Sequence, residues 1–270
     1  MSRELELIQK TPEPLTRDTL ARGLKACGLA EGQTVIVHSA LSKLGWVCGG
    51  PVTVIEALLD VLGPKGTLVM PAHSGENTDP AHWEAPPVPK DWQATIRATM
   101  PAFDPATTPT RGMGRISELF RTWPGALRSY HPTTSFAALG PNAQFITDEH
   151  DLDQSHGERS PLAKLYDLNA SVLLLGVNHS NNTSLHLAET RADIPKTYLQ
   201  TGSAILVDGE RRWVNYSELD VDSEDFEALG AAYEKEHGYT PCKLGLAEVR
   251  LLELKPLLDW AVGWLEARRC

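Results

Sequence analysis

Asn182, His186 and Glu189 stand at i, i+4 and i+7, so a helix through them carries an amide, an imidazole and a carboxylate on one face. Imidazole is the usual general base near neutral pH. A carboxylate one turn along can orient that ring, help it carry charge, or receive a cationic substrate. A lone histidine near a helix start is more often a structural group than a catalyst. His186 is not alone, however.

The run Leu173-Leu174-Leu175 before this segment reads as a buried strand, and it leads through Asn178-His179-Ser180 into the helix. Two other apolar runs end the same way. Thr34-Val35-Ile36-Val37 is followed by His38-Ser39-Ala40-Leu41-Ser42, and Thr67-Leu68-Val69-Met70 by Pro71-Ala72-His73-Ser74. If these strands are parallel neighbours, their polar ends converge on one edge of the sheet, where ligands bind in open α/β folds. Each histidine taken singly is a strand-end cap; convergence of all three is a site.

The elements that position these ends alternate. A helix from Thr16 to Leu29 has Thr16 as N-cap, and a second opens at Gly49-Gly50-Pro51 with Val54, Ile55, Leu58, Leu59 and Leu62 as its buried stripe. Further helices are expected at Gly114–Arg121 and Pro161–Leu168, and Phe136–Gly140 is expected to form a strand. Asp208-Gly209-Glu210 signals a hairpin. Val221–Tyr233 reads as acidic and partly helical, and Leu246–Arg269 as a docking helical tail broken at Pro256. Residues 74–110 are rich in Pro, acids and Trp, which suits an irregular lid or wall over a site. The pattern predicts a single three-layer α/β/α domain, residues 1–270, with a mixed central sheet.

Bulk properties narrow the function. A net charge of −10 over 270 residues disfavours nucleic acid, which needs a basic face, and is compatible with a cationic substrate. No run is long enough for a membrane span, and the N-terminal segment has no signal-peptide pattern, so a cytoplasmic protein without membrane partners is expected. Cys27, Cys48, Cys242 and Cys270 form no C-x-x-C pair and read as free thiols in a reducing compartment. There is no G-x-S-x-G, P-loop, G-x-G-x-x-G or H-E-x-x-H, and the histidines lack metal-ligand spacing, so no metal is expected.

Taken in order, the pieces resemble the aminoglycoside 3-N-acetyltransferase family. They are Val37-His38-Ser39-Ala40-Leu41-Ser42 with Gly45 and Gly49-Gly50-Pro51; Gly66 to Pro71; Pro101-Ala102-Phe103-Asp104-Pro105 with Thr108-Pro109-Thr110; Phe120 to Gly125; His131-Pro132; Ser160-Pro161-Leu162-Ala163; and Asn182 to Glu189. The resemblance implies acetyl-coenzyme A as donor, an aminoglycoside amine as acceptor, antibiotic resistance as outcome, and a family-specific α/β/α topology. It implies His186 as catalytic base with Glu189 as its acid. It places the coenzyme near His38, Ser39, Ala40, Leu41 and Ser42, with Pro109, Thr110, Met113 and Gly114 joining them. Family members act on other amines too, so an acyltransferase for a biosynthetic amine is the alternative reading.

Acyl transfer from a thioester to an amine needs three things: a base for the amine, donors for the oxyanion, and two reactants held together. His186 meets the first. A helix starting near Asn182 or Thr183 would offer free backbone N–H groups for the second, with the Thr183 hydroxyl assisting or serving as N-cap. Ser39 to Ser42 offer hydroxyls and N–H groups to pantetheine or pyrophosphate, or form an ordinary turn. For a polycationic acceptor, the candidates are His73, Glu76, Asp79, Asp153, Asp220 and Asp222.

Overall fold

The computed structural model describes residues 3–269. The helices are α1 (Arg3–Lys10), α2 (Arg17–Ala26), α3 (Leu41–Leu44), α4 (Pro51–Leu62), α5 (Gln93–Thr99), α6 (Gly114–Phe120), α7 (Ala143–Thr147), α8 (Pro161–Asp167), α9 (Leu185–Arg191), α10 (Phe226–Glu236) and α11 (Leu254–Glu266). The strands are β1 (Thr34–Ser39), β2 (Thr67–Pro71), β3 (Leu127–Arg128), β4 (Phe136–Leu139), β5 (Ser171–Leu175), β6 (Tyr198–Val207), β7 (Glu210–Leu219), β8 (Cys242–Leu244) and β9 (Ala247–Glu253).

Seven strands form one mixed sheet in the order β3-β4-β2-β1-β5-β9-β8. The central trio β2-β1-β5 is parallel, and its neighbours on both sides are antiparallel. Strand residues alternate between two cores. Val35, Val37, Leu68, Met70 and Leu173 pack with α2, α4 and α6 on one face. Ile36, Val69, Val172 and Leu174 pack with the apolar residues of α7 through α11 on the other. This is the three-layer α/β/α arrangement, and burial of the central strands on both faces explains why they read as continuous apolar runs.

The parallel trio carries His38-Ser39, Ala72-His73 and Gly176-Val177 off the same sheet edge, as convergence requires. Gly176 ends β5 with φ +73, and a Cβ there would approach the Lys43 side chain to 2.9 Å. Glycine therefore lets the β5 exit pass close against the loop after β1.

Several expectations are corrected. The segment after Leu246 is not a helical tail. It begins as β9, whose residues 249–253 pair antiparallel with the whole of β5, and helix starts only at Leu254. Pro256 lies in the first turn of α11, where its missing N–H costs no helical bond, so it does not break the helix. Cys27 and Cys242 are disulfide-bonded, with Cα atoms 5.8 Å apart, where free thiols were expected. The pairing arises because β8 packs against the end of α2, a contact between residues 215 positions apart. Cys48 is free and exposed, and Cys270 lies outside the described residues.

The β6–β7 hairpin forms its own two-stranded sheet. Residues 74–110 include short turns and α5 and lean on that hairpin. Phe103 N–H donates to the Ala204 carbonyl at 2.8 Å, the Ser203 hydroxyl to the Asn77 carbonyl at 2.7 Å, and Arg211 to the Met100 carbonyl at 2.7 Å.

Candidate active site

His186 occupies the second position of α9, and Glu189 lies one turn on. The His186 Nδ1 is 2.8 Å from the Glu189 Oε2. An ionised carboxylate only accepts, so the ring's proton sits on Nδ1 and the Nε2 lone pair is left free. The other Glu189 oxygen, Oε1, accepts from the Asp222 N–H at 2.9 Å and from Arg269 Nη1 at 2.6 Å. Glu189 is 4 % exposed, so its charge is held by these three donors rather than by water.

Asn182 precedes the helix instead of sharing its face with His186. It follows a short 3-10 turn, His179–Asn181, and its Oδ1 accepts from the Ser184 N–H at 3.2 Å. The backbone N–H groups expected to be free at the start of α9 are occupied. Those of Thr183, Leu185, His186 and Leu187 donate to the carbonyls of Asn181, Asn182, Thr183 and Ser184, each at 3.1 Å. The tight turn folds back on itself and uses its own donors, so any oxyanion donor must come from a side chain or from another loop.

The preceding turn is pinned from behind. The His179 ring lies over Gly230, where a Cβ would come within 2.0 Å of it. Its Nε2 is 2.9 Å from Glu234 Oε1, which also accepts from Arg250 Nε at 2.6 Å. A side chain at position 230 would push the ring, and with it the approach to α9.

His186 lines a cavity of about 220 Å³ together with His38, Ser39, Met113, Asn182, Thr183 and Phe226. Its ring packs at 4.8 Å from both Phe226 and His156. Three side-chain atoms of this lining, His38 Nε2, Ser39 Oγ and Asn182 Nδ2, are buried with no hydrogen-bond partner among the described residues. Buried polar atoms normally find partners, and unpaired ones cost about 1–3 kcal/mol each. A cluster of them beside an imidazole marks a place built for a ligand's polar atoms.

A larger cavity of about 1340 Å³ adjoins the first, sharing Ser39, Gly112, Met113, Val177 and Asn181. Ala40, Leu41, Ser42, the Gly49-Gly50-Pro51 start of α4, Gly114 and the basic side chains Lys43, Arg115 and Arg250 also line it. The first turn of the 12-residue helix α4 supplies free N–H groups and a positive dipole end. Phosphate groups favour such a helix start flanked by cations.

The other histidines differ from His186 in having no carboxylate partner among the described residues, except His179. Burial pushes His38 and His73 down to about 3 and His131 to about 4, and it lowers His150 and His156 well below the ordinary value. A base that weak is poorly matched to neutral pH.

The expected residues scatter over several environments. His38 lines the small cavity but not the large one. Thr110 donates through N–H and hydroxyl to Glu118 Oε2, both at 2.7 Å, and the Pro109 carbonyl accepts from Ser74, so neither lines the two adjoining cavities. His73 packs edge-on to Phe136 and against His156, behind the His186 ring. Asp79 pairs with Arg97 at 2.7 Å within the 74–110 segment, and Glu76 pairs with Arg111 just after it at 2.5 Å. Asp153 and Asp220 are exposed. Asp222 touches the dyad through its backbone. Spacing gave no sign of His156, Phe226 or Arg269, because each reaches the site from a different element.

A family model described as aminoglycoside 3-N-acetyltransferase matches residues 36–266. The chain belongs to the aminoglycoside 3-N-acetyltransferase family. It is therefore an acyltransferase by family. It is 45% identical over 260 residues to the SPbeta prophage-derived aminoglycoside N(3')-acetyltransferase-like protein YokD of Bacillus subtilis (strain 168), covering 96% of this chain and 95% of the relative. Aminoglycoside N(3)-acetyltransferase VII of Streptomyces paromomycinus is 40% identical over 282 residues, covering 98% of this chain and 96% of its own. Among solved structures, that of YokD from Bacillus subtilis superposes with TM-score 0.95 at 43% identity, covering 98% of both chains. A binary complex of AAC-IIIb with CoASH gives 0.84 at 33% identity, covering 95% of this chain and 98% of the other. AAC-VIa bound to sisomicin gives 0.85 at 29%, covering 96% and 100%.

Proposed function

We propose that this enzyme transfers the acetyl group of acetyl-coenzyme A to the 3-amine of 2-deoxystreptamine aminoglycosides, by direct transfer with His186 as general base, and so confers resistance. The observation that carries the reading is the His186–Glu189 pair, with His186 lining a small polar cavity that adjoins a large cation-lined one. Relatives described as complexes with CoASH and with sisomicin support the two ligand classes.

Acetyl-coenzyme A enters as cosubstrate along the large cavity. Its phosphates meet Lys43, Arg115 and the start of α4, and its thioester reaches Ser39 and Met113, where the two cavities join. Glu4, Glu227 and Glu248 also line that cavity. Glu248 pairs with Lys243 and Arg250 with Glu234, so the cationic character of that face rests on Lys43, Arg115 and the start of α4.

The acceptor ammonium first sheds a proton. Its nitrogen then attacks the thioester carbon while His186 Nε2 takes a second proton from it. The tetrahedral oxyanion finds donors in Thr183, Ser39 and Asn182, replacing the backbone N–H groups already used within the turn. Collapse breaks the carbon–sulfur bond. The thiolate leaves as coenzyme A after recovering the proton from the imidazolium, and the amide remains. Glu189 holds the Nδ1–H tautomer and balances the transient imidazolium. Asp153, Asp220 and Asp222 lie on segments that touch the dyad or His156, so they suit the acceptor's other ammonium groups. Residues 74–110 and the hairpin form the outer wall. No metal enters the scheme.

Cosubstrate supply favours a cytoplasmic location; there the Cys27–Cys242 bridge meets a reducing pool. The test is acetyl transfer to a panel of aminoglycosides, read by product mass and site of acetylation. His186→Ala should lower kcat about a hundred- to ten-thousand-fold while leaving coenzyme binding nearly intact. Acetylation of a biosynthetic amine but no aminoglycoside would replace the acceptor; near-normal kcat in His186→Ala would remove the base.

A further inference from the structure

We propose that Arg269 is a positioning residue for the base: its guanidinium bridges Glu189 and Asp225, fixing where the acid sits and how much negative charge His186 feels. The inference rests on the reading of His186 as base, and its test separates the two.

Arg269 follows α11 and lies 80 positions from Glu189 in sequence. Its Nη1 donates to Glu189 Oε1 at 2.6 Å, its Nε to Asp225 Oδ2 at 2.9 Å, and its Nη2 to the Asp222 carbonyl at 2.8 Å. A further bond joins Nη2 to Asp225 Oδ1. The side chain is 16 % exposed, and the guanidinium stands 5.9 Å from the centre of the Phe226 ring, which packs on His186. One planar fork therefore spends its donors on the catalytic carboxylate and on the segment before α10. Lysine, a point charge, cannot reproduce that pattern.

The two oxygens of Glu189 divide the work. Oε2 faces His186, and Oε1 faces Arg269 and the Asp222 N–H. With Arg269 in place, part of the carboxylate charge is already answered by a cation. Without it, the nearest available cation is a protonated His186, so loss of Arg269 favours imidazolium and raises the His186 pKa.

Other groups around the dyad do not supply a replacement. His38 from β1, His73 after β2 and His156 before α8 are held neutral by burial. Arg191, further along α9, is paired with Glu158. His179, in the turn before α9, is paired with Glu234. Asp222 and Asp225, before α10, are acids.

The experiment is an NMR titration of the His186 ring beside the pH profile of kcat/KM, on the full chain, for wild type, Arg269→Gln, Arg269→Lys and Asp225→Asn. Arg269→Gln should raise the His186 pKa by about one unit and move the acid limb of the profile up equally, about a tenfold rate loss at a pH on that limb. Arg269→Lys should restore the pKa but not the full kcat, because it keeps the charge and loses the fork. Asp225→Asn, which removes an acid, should lower the melting temperature without raising the pKa. A His186 pKa unmoved in Arg269→Gln, with a melting loss equal to that of Asp225→Asn, makes Arg269 merely structural and overturns the proposal. Should Arg269→Gln fail to fold, Arg269→Lys decides: an unchanged pKa with reduced kcat supports the proposal, and wild-type kcat overturns it. A full NMR shift together with an active His186→Ala would instead retire the base and leave the electrostatic bridge standing.

Discussion

Replacing Glu189 by glutamine should damage this enzyme more than replacing it by alanine. Glu189 Oε1 accepts from two donors, the Asp222 N–H at 2.9 Å and Arg269 at 2.6 Å. A glutamine amide has one oxygen and one NH2 group. Turning its NH2 toward Arg269 and Asp222 sets donor against donor twice, at about 1.5–3 kcal/mol for each lost bond. The amide oxygen therefore stays on that side, by about 3–6 kcal/mol, and the NH2 faces His186 Nδ1. Nδ1 must then accept, so the proton moves to Nε2 and removes the lone pair that should take the amine's proton. At about 1.4 kcal/mol per factor of ten, kcat should fall about 10²- to 10⁴-fold. Glu189 is the only hydrogen-bond partner of the His186 ring among the described residues, so nothing else restores the tautomer. Glu189→Ala leaves Nδ1 free to choose its proton and should lose less. The assay is steady-state release of coenzyme A thiol, with nitrogen shifts of the His186 ring reporting the tautomer. Activity of Glu189→Gln within threefold of wild type, or an Nδ1–H tautomer retained in it, would refute the reasoning.

Three further outcomes follow from the same coordinates. Burial lowers His38 and His73 from 6.5 to about 3 and His131 to about 4. The unfolded chain therefore binds protons that the folded chain refuses, and their contribution is complete above about pH 6.5 and lost as pH falls toward 4. Each engaged histidine contributes a slope of about 1.4 kcal/mol per pH unit, so the melting temperature should drop steeply below pH 6, and a flat curve from pH 7 to 4.5 would contradict the burial argument. Reducing the Cys27–Cys242 bridge opens a closed loop of some 215 residues; chain entropy sets an upper value of about 5 kcal/mol and typical bridges give about 2–4, so calorimetry with and without reductant should show lower stability when reduced. Acceptor KM should rise with salt if exposed Asp153, Asp220 and Asp222 recruit a polycation, because such pairs are screened; a KM constant from low to high salt would remove the acidic rim.

Much of the fold is legible along the chain because the signals are local. Thr16 caps α2 with a reciprocal bond to Thr19, Pro51 opens α4 after two glycines, and three apolar β-branched or leucine runs become the parallel trio. The His186–Glu189 pair is legible for the same reason, since one helical turn fixes both residues. The helix reading of 247–253 fails because strand pairing with β5 overrides a sequence that suits either state. The free N–H groups expected at Thr183 are lost because the actual turn is tighter than a simple helix start and satisfies itself. What the sequence determined by itself is which short segments bear the chemistry. Only the tertiary structure decided what surrounds them: Arg269 on Glu189, Phe226 and His156 on the His186 ring, and Cys242 beside Cys27. Those contacts join residues tens to hundreds of positions apart, and they exist only after both hydrophobic faces of one sheet have been buried.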